Sequence, residues 1–315
     1  MRGSLPTVII PYVGSADSHQ PRDIFVYLRP ETNGILVEST LLRVIEGTQR
    51  YRDTVELAYL ANIPGEFIVS NGIVEDHYRY KMPFARFGGA IFTDRMKERF
   101  EQYFEESFNE TRVVGAFDAL EALGLSEEEL FNTRVPLADV YNLNCQTVKK
   151  IQGIYVVNYD IPALIHKNSN KTDIAVMLFR STQSNDEFHR MIEEMAISLR
   201  SGGIIGDVSR FTRAFHYTKG PFEQVLDARG HLYHPDGTHI ALYDMQFCSF
   251  LRTKGILCTE VDKTLDNPIM EFRTDDGEKR EECLFIRSRD ASYQEAYEIL
   301  TSSVSQYLAS SQKPR

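Results

Sequence analysis

The stretch Asp173–Gly206, DIAVMLFRSTQSNDEFHRMIEEMAISLRSGGIIG, decides the fold. Asp173–Phe179 is nearly continuous in apolar residues, the composition of a strand covered on both faces. A polar link follows, and Asn185 is placed to cap a helix. In that helix Phe188, Met191, Ile192, Met195 and Leu199 recur at three- and four-residue spacing and form one stripe, which Gly202-Gly203 closes. A buried strand feeding an amphipathic helix predicts helices laid over a sheet.

The same pattern continues on either side. Asp23–Arg29 (DIFVYLR) and Thr54–Ile63 (TVELAYLANI) are rich in β-formers and end at turn signals, Glu31-Thr32-Asn33-Gly34 and Pro64-Gly65. Ile35–Ile45 reads as a second strand or a helix. From Thr93 the period becomes helical, with Met96, Phe100, Tyr103 and Phe104 on one side and Thr93 or Asp94 as the cap. Val113–Leu123 predicts a strand or short helix, Ser126-x-x-Glu129 a capping box, and Ile154–Ile165 a strand that Pro162 confines to an edge or an end. Two hairpins are expected, at Pro235-Asp236-Gly237-Thr238 and Asp275-Asp276-Gly277. A last helix opens at Ser292-x-x-Glu295, with Tyr293, Ala296, Tyr297, Leu300, Val304 and Tyr307 facing inward. The fold class is therefore α/β or α+β, with mixed sheets covered by amphipathic helices. The polar run His166–Thr172 (HKNSNKT) divides the chain into two similarly sized domains, residues 1–167 and 168–315.

With 315 residues, 42% of them hydrophobic, the chain can bury a substantial core. A formal net charge of -10 makes nucleic acid an unlikely general partner, because that role needs cations along the phosphate backbone. No apolar run reaches the roughly 20 residues of a membrane-spanning helix. Cys145, Cys248, Cys258 and Cys283 lack C-x-x-C spacing and read as reduced thiols, which with the missing leader points to the cytoplasm.

Three polar groups stand out. His234, Asp236 and His239 flank the first hairpin turn and become candidate metal ligands if the two histidines are cross-strand neighbours; a solvated hairpin explains the same residues. Gly202-Gly203-x-x-Gly206-Asp207 follows a helix instead of preceding one, so it reads as a cap and not as a phosphate cradle. The polar loop around Asp160, His166 and Asp173 lies between strand-like segments, and there His166 has the chemistry of a nucleophile or general base with Asp160 or Asp173 orienting its ring; a polar linker explains the same residues.

Phe25-Val26-Tyr27-Leu28-Arg29-Pro30, followed by Gly34, Leu36, Val37 and Arg43, resembles the opening strand and helix of nucleoside diphosphate kinases. His77-Tyr78, Lys81, Pro83-Phe84 and Leu164-Ile165-His166 echo later segments in the same order. The resemblance implies a phosphate contact at Arg29, where the family has lysine, and a phosphoryl-carrying His166, which here lacks the following Gly-Ser-Asp. The spacings differ by tens of residues, and no family is assigned on these grounds.

The leading expectation is a regulatory or binding protein that acts through a protein or small-molecule partner, since no nucleophile elbow, P-loop or dinucleotide fingerprint occurs. Cofactors are left open. The alternative is an enzyme of phosphoryl or phosphate-ester chemistry, with His166, Arg29 and Asp160 as its working groups.

Overall fold

The structure is a computed structural model that describes residues 5–14, 22–169, 171–205, 214–274 and 277–306. Asn170, Gly206, Asp207, Asp275, Asp276 and Tyr307, all part of sequence expectations above, lie outside the described residues. The strands are β1 Thr7–Ile10, β2 Arg22–Leu28, β3 Val55–Ile63, β4 Arg112–Gly115, β5 Val140–Leu143 and β6 Gln146–Ile151. They continue with β7 Ile154–Val157, β8 Ile174–Ser181, β9 Phe215–Tyr217, β10 Ile269–Arg273, β11 Lys279–Cys283 and β12 Ser303–Gln306. Five helices matter most: α1 Ile35–Gly47, α2 Asp94–Phe104, α3 Ile161–Ser169, α4 Asn185–Ser201 and α5 Pro221–His231. The class is mixed α/β, with helices packed on antiparallel and mixed sheets.

By packing, the chain forms two compact units. The first gathers Met1–Ile73, Asn168–Glu260 and Arg289–Ala296; the second gathers Val74–Lys167, Val261–Ser288 and Tyr297–Arg315.

In the first unit five strands form one sheet in the order β1-β3-β8-β2-β9, every neighbouring pair antiparallel. The strand of the deciding stretch, β8, sits in the middle, which accounts for its unbroken apolar run. Successive strand residues point to opposite faces. On one face Ile24, Val26 and Leu28 of β2 join Met177 and Phe179 of β8 in a core closed by Val37, Leu41 and Ile45 of α1 and by the α4 stripe Phe188, Met191, Ile192, Met195 and Leu199. Ser184, not Asn185, is the cap of α4, in a reciprocal box with Glu187, and Gly203 (φ 66°) ends it in the left-handed region that glycine adopts freely.

The other face of β2 carries Asp23, Phe25 and Tyr27. Their register partners on β8 are Arg180, Leu178 and Val176, and Tyr27 pairs with His216 of β9. Helix α5 contacts this part of the fold and is buried on nearly every side, including its polar residues Gln224, Asp227 and His231.

The second unit holds a four-stranded sheet, β4-β7-β6-β5, parallel only between β4 and β7, and a three-stranded antiparallel sheet, β11-β10-β12. One core gathers Phe84, Phe92, Met96, Phe100 and Tyr155, and another Ala116, Ala119, Leu130, Val156 and Ile161. Thr93 caps α2 by accepting the Met96 N–H at 3.1 Å, as the spacing predicts. Gly88 is required by close approach: a Cβ there would lie 2.3 Å from the Val114 carbonyl carbon, and φ is 54°.

Several sequence expectations are decided or corrected. Of the two readings of Ile35–Ile45, strand or helix, the helix forms. Ile154–Ile165 is strand only to Val157 and becomes α3 from Ile161, because Pro162 suits a first helical turn as well as a strand end. Turn residues at Pro235–Thr238 do turn the chain, but a single bridge, Tyr233↔His239, replaces the expected hairpin, since α5 occupies the preceding arm. The second hairpin, β10–β11, forms with full register. Val304 lies on β12 and not on the last helix, which spans Tyr293–Thr301.

The cysteines are paired, against the expectation of free thiols: Cys145 with Cys283 and Cys248 with Cys258, at Cα separations of 6.0 and 5.5 Å. Partners 138 residues apart leave no spacing signature to read. Folding brings them together because Asn144 and Cys145, both at positive φ (51° and 68°), make the two-residue turn between β5 and β6, while Cys283 ends β11.

Candidate functional site

The polar face of the first unit's sheet gathers several buried ionisable groups. Asp23 is fully buried and accepts from Arg180 through two oxygens, Nε to Oδ1 at 2.8 Å and Nη2 to Oδ2 at 3.1 Å. Tyr12 donates its hydroxyl to Oδ2 at 2.9 Å. Burial pushes the Asp23 carboxyl above its ordinary range, and Arg180 and Tyr12 draw it back only in part. Tyr293, whose hydroxyl donates to Gln224 of α5 at 3.0 Å, accepts the Asp23 N–H at 3.4 Å.

One strand over, the network has a different character. Asp227 of α5 is fully buried. Thr218, just past β9, donates its hydroxyl to Asp227 Oδ2 at 2.7 Å and accepts the Phe25 N–H at 3.0 Å, so the carboxyl is fixed to the sheet. His216 Nε2 stands 3.3 Å from both Asp227 carboxyl oxygens. His231, one turn further along α5, donates from Nδ1 to the Asp227 carbonyl at 2.8 Å. Between the two histidines lies the Tyr27 ring, stacked on His216 at 4.4 Å and on His231 at 4.5 Å.

The sequence builds this arrangement simply. Asp23, Phe25 and Tyr27 leave β2 on one face by the two-residue period, and Gln224, Asp227 and His231 leave α5 on one side by the three-and-four period. His216 faces Tyr27 because they are register partners.

Burial drives the His216 pKa well below the ordinary histidine value, with Lys219 and Arg29 adding to the fall and Glu223 opposing it. The ring is thus neutral at pH 7. An Nε2 proton held by Asp227 leaves Nδ1 as an acceptor or base. His231 is likewise lowered, first by burial. Although Asp227 is sealed, the His216 side chain keeps 13% of its surface exposed, which leaves one edge of a buried dyad open.

The residues singled out from sequence fall as follows. Arg29 follows β2 in the first unit and belongs to the electrostatic surroundings of His216. His166 and Asp160 belong to the second unit, on α3 and just before it, and Asp160 is engaged by Lys81 at 3.7 Å. His234, Asp236 and His239 lie in the turn after α5. Asp236 accepts both the N–H and the hydroxyl of Thr238, at 2.9 and 2.6 Å, and these bonds hold its pKa down. His239 Nε2 is 3.0 Å from the Ala228 carbonyl, and its bridge partner is Tyr233, not His234. Among the described residues no three or more His, Cys, Asp or Glu side chains gather as metal ligands.

The sequence pattern singles out neither His216 nor Asp227, and it marks His231 only as one of the possible metal ligands near the Pro235 turn. Part of the signal is present in the chain: α5 carries Gln224, Asp227 and His231 at three- and four-residue spacing among apolar residues.

No protein-family model, no curated protein and no solved structure matches this chain. Among the described residues no helix is long and apolar enough to cross a membrane.

Proposed function

We propose that the first unit binds a small anionic ligand, carrying a carboxylate or phosphate group, beside His216. The observation that carries the reading is the dyad itself: a neutral imidazole, fixed from behind by a fully buried aspartate, with Arg29 and Lys219 both acting on its ring. Cations near a neutral base lower its proton affinity and favour an anion in their place. Such a site fits a binding or regulatory protein with a small-molecule partner.

A second reading is favoured by one specific feature. An imidazole oriented by a buried carboxyl is the arrangement of a general base, and a ligand hydroxyl placed at Nδ1 would be activated for transfer or ester cleavage. That keeps Arg29 as the anion clamp of the phosphate-ester expectation and puts His216 where His166 was expected.

Thermal unfolding with inorganic phosphate, citrate and a nucleoside monophosphate separates binding from none, because a ligand for the native state raises Tm. Wild-type protein is expected to shift, and Arg29→Ala and Lys219→Ala to lose most of that shift while unfolding near the wild-type Tm without ligand. Equal shifts in wild type and both variants would remove the reading. Turnover of a chromogenic phosphate ester, lost in His216→Asn, would select the second reading over the first.

Compartment is tied to the cysteines. Alkylation and mass measurement on protein from its native source is expected to find four free thiols if the chain resides in the cytoplasm, and the Cys145–Cys283 bridge intact if it resides in an oxidising compartment.

A further inference from the structure

The second unit contains a carboxylate that its surroundings do not complete. Glu281 of β11 is 6% exposed. Its Oε1 accepts from the Asn144 side-chain amide at 2.5 Å and from the Thr93 hydroxyl at 2.9 Å. Its Oε2 is buried and has no hydrogen-bond partner. Arg99 of α2 does not supply one: its guanidinium donates to Asn144 Oδ1 at 2.7 Å, the Tyr141 hydroxyl at 3.3 Å and the Glu281 backbone carbonyl at 3.4 Å. The result is a buried carboxyl held by neutral donors on one oxygen, with the other left open, a costly arrangement unless a partner arrives or the group takes a proton. Burial does push its pKa up, against the pull of Thr93, Arg99 and Asn144.

Glu281 lines a groove of about 730 Å³ between α2 and β11, which is wide enough for a small molecule or one side chain. Along the rim the charges are mostly satisfied within the protein. Arg95 pairs with Glu98 at 2.9 Å, Glu282 with Arg287 at 2.7 Å, and Lys279 with Glu271 at 2.8 Å. The groove is therefore close to balanced at its mouth, and its wall includes Glu281, whose Oε2 has no partner.

We infer that this groove binds an organic cation, a primary ammonium or guanidinium group, which donates an N–H to Glu281 Oε2. A directed N–H donor needs one well-placed acceptor, which is what Oε2 offers. A calcium ion takes six to eight oxygen ligands, and a structural zinc ion four His, Cys or carboxylate ligands, and no group of three such side chains gathers among the described residues. The Asn144-Cys145 turn and its bridge to Cys283 hold the Asn144 amide against Oε1, so the free oxygen keeps one orientation before the ligand arrives. This site lies wholly in the second unit and is independent of the anion site in the first.

The test is calorimetric titration of the full-length protein with agmatine, with cadaverine, and with n-pentanol as an uncharged control. Both cations are expected to bind and the alcohol not to, with Glu281→Gln weakening the cations at least tenfold while keeping the hydrogen bonds to Oε1. Equal affinity in wild type and Glu281→Gln, no binding of either cation, or saturable binding of Mg²⁺ or Ca²⁺ in preference to the amines would each overturn it. Should Glu281→Gln fail to fold, amide chemical shifts of the wild-type protein replace it: agmatine must move the signals of Arg99, Glu281 and Glu282, and movement confined to other residues would count against the site.

Discussion

The two faces of β2 both hold fully buried residues, and only one of them buries charge. Val26 and Leu28 on one face and Asp23 on the other are all fully buried. The first face meets α1 and α4 in a wholly apolar core; the second meets Arg180, His216, Asp227 and Tyr293. Burying apolar surface stabilises at roughly 25 cal/mol per Å², whereas burying carboxyls and imidazoles costs free energy that only close hydrogen bonding offsets. A fold that needed nothing but stability would make both faces alike. The polar face is where this chain accepts a cost, and it is therefore where a function should be sought.

Four changes test that contrast, from the largest effect to the smallest. Phe179→Ala, on the apolar face, removes a fully buried ring and is expected to cost about 4 kcal/mol by chemical denaturation. On the polar face, Asp23→Ala strands the nearly buried Arg180 and is expected to cost about 3 kcal/mol. The double change Asp23→Leu with Arg180→Met should recover most of that loss, which the apolar face cannot do after a truncation. If the double variant stays as unstable as the single one, the polar face is a structural necessity.

The third change concerns pH. Folding lowers the His216 pKa, so between that value and the unfolded value near 6.5 the unfolded chain binds the extra proton. The contribution is fully present above pH 6.5 and falls as pH drops below it, by up to about 1.4 kcal/mol per pH unit. His216→Asn should remove its share of this slope while leaving the part due to His231. Urea midpoints for both proteins from pH 7.5 to 5 measure it, and parallel curves would mean that His216 titrates as an ordinary exposed ring. Last, Ser184→Ala touches neither face and removes only the α4 cap; it is expected to cost about 1 kcal/mol, with no effect on anion binding.

The apolar face was legible in the sequence. The Asp173–Phe179 run and the Phe188–Leu199 stripe follow from periods of two and of three to four, and periodicity depends only on neighbours along the chain. So does the capping box at Ser126, whereas the cap expected at Asn185 is Ser184, one residue earlier, in a box with Glu187. The polar face was not legible, because its members come from β2, β8, β9 and α5, and only the sheet register brings Asp23 to Arg180 or Tyr27 to His216. Glu281 is the same case, since Thr93 and Asn144 reach it from 188 and 137 residues away. The histidines at 234 and 239 sit on either side of the turn at Pro235, but the bridge across it joins Tyr233 to His239, and no three ligand side chains gather there among the described residues. Arg29 stands out in the sequence for its chemistry, but His216, on which its charge acts, lies on β9, far along the chain, while His166 of the polar loop belongs to the second unit.

Nitrogen-detected NMR of the His216 ring reaches the central claim most directly, that an imidazole fixed by Asp227 is kept neutral for an anionic ligand. The ring is predicted to remain neutral with its proton on Nε2 throughout pH 6 to 8, and its resonances to move on adding phosphate in wild type but not in Arg29→Ala. A ring that titrates near 6.5 and ignores phosphate would contradict it.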